Sequence, residues 1–141
     1  MSQNYTTEYE YGYGTSCFAI IYKDQIFFGK AECHPDDKDM ESERTGLTIA
    51  EARAHIKMLK FIKQHEIQPV IDAYRHLLKN IQSSTHHNPK AYESCMLRSQ
   101  LSHWETKLAE ITTDIADEEK YLKEYTDQKD KLYRRLRARN Q

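Results

Sequence analysis

Glycine and proline are scarce, four and three in 141 residues, so few tight turns are available and long uninterrupted elements are the natural expectation. Sheet-rich sandwiches and barrels, which need turns every few residues, are excluded on that ground. The three cysteines, Cys17, Cys33 and Cys95, are an odd number without close paired spacing; they make no disulfide framework and fit a reducing compartment. No stretch approaches the roughly 18 to 20 apolar residues of a membrane helix, and the first ten residues are polar and tyrosine-rich rather than basic and then apolar. A net charge of -1 removes any whole-chain electrostatic case for nucleic acid, although seven histidines make the balance sensitive to pH. What is present is the length of one domain, 38% hydrophobic and 30% charged, expected to be soluble, without contact to a membrane, and cytosolic.

Four tyrosines, Tyr5, Tyr9, Tyr11 and Tyr13, crowd the first 15 residues, which read as an arm or a first strand. Two β-branched and aromatic runs follow, 17–22 and 25–31, separated by Lys23-Asp24, which is the pattern of a β-hairpin. Such a hairpin is marginal alone and needs a helix, a third strand from the arm, or a second subunit to pack on. Residues 33–46 have no periodicity and read as an acidic loop. Thr48-Ile49-Ala50-Glu51 has the form of a capping box, which predicts a helix opening at Thr48. Two apolar series, Ile49 to Leu59 and Ile67 to Ile81, are offset by one residue with Pro69 near the junction. One helix kinked near Pro69, or two helices meeting there, is expected.

After the break at 83–89, with Asn88 as N-cap and Pro89 at the first helical position, everything reads as helix. Leu97, Leu101, Trp104, Leu108, Ile111, Ile115, Glu118, Leu122, Tyr125, Lys129, Leu132 and Leu136 recur at spacings of 4 and 3. A heptad seam sustained over more than five repeats predicts a coiled coil. The fold class expected is therefore α+β: an N-terminal hairpin of two or three strands, then a long antiparallel helical hairpin. The arm, hairpin and acidic loop occupy 1–46 and the helical hairpin 47–141, as one folding unit. The shorter first helix leaves seam uncovered, so a homodimer or higher homo-oligomer is expected, with Glu118 and Lys129 setting register.

Chemistry-bearing constellations are weak. Asp36, Asp37, Asp39, Glu41 and Glu43 lack the mid-loop glycine and distant closing glutamate of a calcium loop, and read as solvated or helix-capping carboxylates. Cys33-His34 is one adjacent pair without the geometry of a nucleophile and base, and His86-His87 has no further ligands at zinc spacing. There is no phosphate-binding glycine loop, no Ser-centred elbow and no helical His-Glu-x-x-His. Catalytic residues, metal ligands and a cofactor are accordingly not expected. The C-terminal run Lys129, Lys131, Arg134, Arg135, Arg137 and Arg139 complements the helix dipole and offers an anion contact. Arg53, Lys57 and Lys60 form a weaker basic stripe. In an oligomer, Arg53, Lys57, Arg134 and Arg135 of one chain can meet Tyr11, Tyr13 or Phe28 of another, a phosphate clamp beside a stacking surface; these are the candidate ligand-binding residues.

From Phe28-Gly29-Lys30-Ala31-Glu32-Cys33-His34-Pro35-Asp36-Asp37-Lys38-Asp39 through Ser42, Thr45-Gly46 and Ile49-Ala50-Glu51-x-Arg53-Ala54, about 30 residues, the chain resembles small proteins of phages and prophages of Gram-positive bacteria. The resemblance implies a viral accessory setting in the host cytoplasm, not a reaction, and carries over no ligand-binding residue. Proteins of this kind often oppose host defence. The expectation is a non-enzymatic counter-defence binder, most concretely a sponge sequestering a nucleotide-derived immune signal. A protein inhibitor of a CRISPR nuclease or other defence effector is the first alternative, and a structural coiled-coil scaffold the second.

Overall fold

A computed structural model of the chain describes residues 4–32, 43–83 and 91–139, without the side chains of 82–83 and 91–93. The fold is α+β. Three strands, β1 (Thr6–Gly12), β2 (Thr15–Tyr22) and β3 (Gln25–Glu32), form an antiparallel meander in the order β1-β2-β3. Helix α1 (Glu43–Ile62), a π-helical turn over 63–67, and α2 (Gln68–Ser83) run on continuously, and α3 (Ala91–Arg139) follows. The tyrosine-rich arm is thus the third strand. The acidic stretch 33–42 and His86-His87 lie outside the described residues, as do the expected caps Asn88 and Pro89.

Both turns of the meander are two residues long. Tyr13 and Gly14 take positive φ (54° and 79°), and so does Lys23 (52°), the left-handed geometry that matches the twist of the flanking strands. Along β2, Ser16, Phe18, Ile20 and Tyr22 are buried while the residues between them are half-exposed, the period of two of a sheet covered on one face. Register pairs Phe18 with Gly29 and Ser16 with Ala31. The buried positions of β3, Gly29 and Ala31, are therefore very small, with half-buried Phe27 on the same face.

Helix α1 lies against that face. A Cβ added at Gly29 would overlap the Ala50 carbonyl oxygen and stand 2.7 Å from the Ala54 nitrogen; one added at Gly46 would overlap the Ser16 hydroxyl. The helix thus seats its backbone on the strand, and Ala50, Ala54 and Met58 are fully buried. The helix starts earlier than its capping-box pattern predicts. Thr48 sits in its second turn and donates its hydroxyl to the Arg44 carbonyl, 2.7 Å away, an i to i-4 bond open to any helical threonine, instead of capping the end.

Across the π turn the Gln68 N–H donates to the Lys63 carbonyl, five residues back. Ile62 and Ile67 are both buried, although on an α-helix residues five apart point about 140° away from each other. The one extra residue of the π turn brings them to the same face. This resolves the one-residue offset of the two apolar series: the chain is one continuous helix with a bulge before Pro69 and no break.

The chain divides into two compact units, one comprising residues 1–58 with 115–141, the other 59–114. The core of the first contains Phe18, Ile20, Tyr22, Ala50, Ile56, Met58 and Ile115. That of the second contains Leu59, Ile62, Ile67, Ile71 and Ile111; within it Arg75 approaches Glu105 at 3.7 Å and Lys107 lies over the Trp104 ring. On α2 the deeply buried residue is Ile71, whereas Leu77, within the second apolar series, is 48% exposed. No helix among the described residues is long and apolar enough to cross a membrane.

Candidate ligand cleft

Within the first unit, the start of β1, one face of α1 and the part of α3 after Ile115 enclose an open cleft of about 290 Å³, lined by Tyr5, Thr48, Glu51, Ala52, His55, Glu118 and Tyr121. Helical spacing brings Thr48, Ala52 and His55 onto one stripe of α1, at steps of four and three, with Glu51 beside them. Small Ala52 leaves the floor low. Tyr5 leans over the cleft with its ring 6.3 Å from that of His55, and Tyr121 flanks the α3 side, stacking at 5.9 Å with Tyr125. The tyrosines are 40% and 50% exposed, so their faces are available to a ligand. His55 Nδ1 stands 3.6 Å from Glu118 Oε1, an ion pair once the imidazole is protonated.

The cleft combines aromatic faces with two carboxylates and an imidazole. Aromatic faces stack flat rings, and carboxylates accept from exocyclic amines and ring N–H groups. Its charge repels phosphate. Thr48 adds a hydroxyl to the lining beside the phenols of Tyr5 and Tyr121, and donates it to the Arg44 carbonyl. Among the described residues no group of three His, Cys, Asp or Glu side chains stands together at metal-binding range.

The seven residues singled out from sequence are not gathered into one site within a chain. Arg53 and Lys57, one turn apart on α1, reach over the outer edge of β3: Arg53 Nη1 donates to the Lys30 carbonyl at 2.5 Å and Lys57 Nζ to the Phe28 carbonyl at 2.7 Å. These alternate carbonyls point away from β2, so the two cations occupy hydrogen-bonding positions that another strand would use. Among the described contacts the partner of Arg53 is the strand. Phe28 projects on the sheet face opposite α1, 58% exposed, level with Ala19 and two pairs from Ile21–Ile26 on the same face. Tyr13 stands fully exposed on the β1–β2 turn, at the end of the sheet where Glu32 pairs with Thr15. Four residues of strand, about 13 Å, separate that row from Phe28. Tyr11 is half-buried at the end of β1, and Arg134 and Arg135 are exposed near the end of α3.

Sequence reasoning missed Tyr5, His55 and Tyr121. Tyr5 belongs to the noted tyrosine cluster, but His55 and Tyr121 fall between apolar seam positions, and no spacing links two residues 66 apart. At the sheet end, exposed Lys30 and Glu32 pair at 2.7 Å. This hydrogen bond, reinforced by charge, holds the Glu32 carboxyl below its ordinary pKa and raises that of Lys30.

No protein-family model matches the chain, and no curated protein and no solved structure matches it.

Proposed function

We propose that this chain is a non-enzymatic binding protein whose Tyr5–Tyr121 cleft takes the base of a nucleotide-derived ligand, and that in its biological setting it is a phage counter-defence sponge for such a signal. The observation that supports this reading is the composition of the cleft: two accessible tyrosine faces beside Glu51, His55 and Glu118. A purine ring stacks on the tyrosines while a carboxylate accepts from its amine and ring N–H. The viral accessory setting rests on the sequence resemblance.

The test is a thermal-shift screen of the full chain against cyclic oligonucleotides and ADP-ribose-derived compounds. A ligand at about 100 times its dissociation constant stabilises the fold by about 2.7 kcal/mol. The expected result is a shift with one class of compound, lost in Tyr121→Ala, and recovery of the compound unaltered after denaturation. Absence of a shift across the panel, or recovery of a changed compound, overturns the reading.

A second reading, a protein inhibitor of a defence effector, is favoured by the sheet face opposite α1. Ile26 and Phe28 are 54% and 58% exposed there, beside half-exposed Ile21 and Ala19, a contiguous apolar patch of the kind that marks interaction surfaces.

A further inference from the structure

The last part of α3 changes sign along its length. Residues 115–127 carry five acids (Asp117, Glu118, Glu119, Glu124 and Asp127) against Lys120 and Lys123, whereas residues 128–139 carry six bases against Asp130 alone. The change falls beside Tyr125, the middle of the seam formed by 115, 118, 122, 125, 129, 132 and 136. Cover along that seam is partial after its first position. Ile115 is buried at 8%, positions 118, 122, 125, 129 and 136 are half-buried, and Leu132 is 39% exposed.

We infer that this stretch of α3 pairs antiparallel with the same stretch of a second copy, about a two-fold axis near Tyr125. Two features select that occupant and that direction. The half-covered part of the seam is nearly symmetric about Tyr125, so reversal lays Leu122 against the partner's Lys129, whose long stem covers apolar surface while its charge reaches water, and Ile115 stays in its own chain's core. Reversal also lays the acidic block of each helix on the basic block of the other. A parallel pair would stack acid on acid and base on base.

The arrangement has a consequence for the cleft, which rests on the base-binding reading above. Among its described lining residues there is no arginine or lysine. Antiparallel pairing sets the partner's Arg134 level with Asp117, one residue before Glu118 and four before Tyr121. The arginine reaches the cleft rim, where a nucleotide carries its phosphates. The cations and aromatics expected to meet across a subunit interface then do so with Tyr5 and Tyr121 as the aromatic partners.

The first test is mass by light scattering on the full chain. A dimer of twice 16.7 kDa is expected, with self-association weakened about tenfold between about 0.1 M and 1 M salt as the screening length falls from about 10 Å to about 3 Å. Arg134→Glu with Arg135→Glu, both at exposed positions, yields a monomer with unchanged helix content by circular dichroism. Direction is read by oxidative cross-linking with Cys17, Cys33 and Cys95 replaced by serine: Tyr125→Cys links to itself and Leu132→Cys does not. A monomer at all concentrations, or self-linking of Leu132→Cys, overturns the antiparallel pair. If the pair forms and the cleft binds its nucleotide, Arg134→Ala lowers affinity about tenfold; unchanged affinity overturns the arginine's role and leaves the pair and the base-binding reading standing.

Discussion

The contact of α1 with the sheet and the distal stretch of α3 are built on opposite plans. Where α1 meets β3, the interface is made of glycine and alanine, the helix backbone touches the strand, and two cations tie off the strand's outer carbonyls. Along α3 after Ile115, large side chains at heptad spacing stay half-covered between blocks of opposite charge. Close backbone approach leaves no room for variation, because protein interiors are packed to the density of crystals. A half-covered seam tolerates change within the chain and keeps its apolar area for another helix. One region sets this chain's own structure, and the other is suited to association.

The sharpest way to break this contrast is Gly29→Ala. One methyl group collides with the backbone of Ala50 and Ala54, and neither can move without shifting α1, so a loss of about 3 kcal/mol in denaturant unfolding is expected. A loss below about 0.5 kcal/mol would mean that the helix does not sit on the strand as described. Arg53→Ala follows, with a loss of about 1 kcal/mol as the Lys30 carbonyl gives up its side-chain donor for water. Lys57→Ala should behave alike, and the double variant should aggregate faster because the β3 edge is then open to another strand. An unchanged melting temperature in all three would show the edge seal to be dispensable.

Leu132→Ala is the matching probe of the other region. In dilute protein it should cost less than about 0.5 kcal/mol, as exposed sites do; a cost near that of Gly29→Ala would erase the contrast. The smallest effect belongs to Lys30 and Glu32. Glu32 titrates below 4.5 when folded, so its stabilisation is present above its unfolded pKa and is lost as pH falls through the folded value. Lys30 titrates above 10.5, so its contribution is present below its unfolded pKa and is lost as pH rises through the folded value. Glu32→Gln should flatten the acid limb of the melting-temperature profile slightly without moving the neutral plateau.

Much of the fold can be read along the chain because it rests on local periodicity. The β-branched and aromatic runs 17–22 and 25–31 mark β2 and β3, and the 4 and 3 spacing from Leu97 to Leu136 marks α3, since a helix buries one face at its own period. The start of α1 was misjudged for a physical reason. A Thr-x-x-Glu pattern inside a helix is indistinguishable in sequence from one at its end, because the threonine hydroxyl can serve either the N-cap or an i to i-4 carbonyl. Arg53 and Lys57 read as an anion stripe because charge spacing does not tell whether a cation faces a ligand or a strand edge.

By itself, then, the sequence determined the class of the fold, the β2–β3 hairpin and its turn, the helical seam and the sign change along α3, all of which depend on neighbours within a few residues. Tertiary structure alone decided that Gly29 is the seat of a helix, that the π turn carries the apolar face past Pro69, that two predicted ligand cations bind strand carbonyls, and that Tyr5, His55 and Tyr121 share a cleft. Apart from the π turn, those relations join residues 20 to more than 100 positions apart. Their distances follow from how whole elements pack, and no local pattern encodes them.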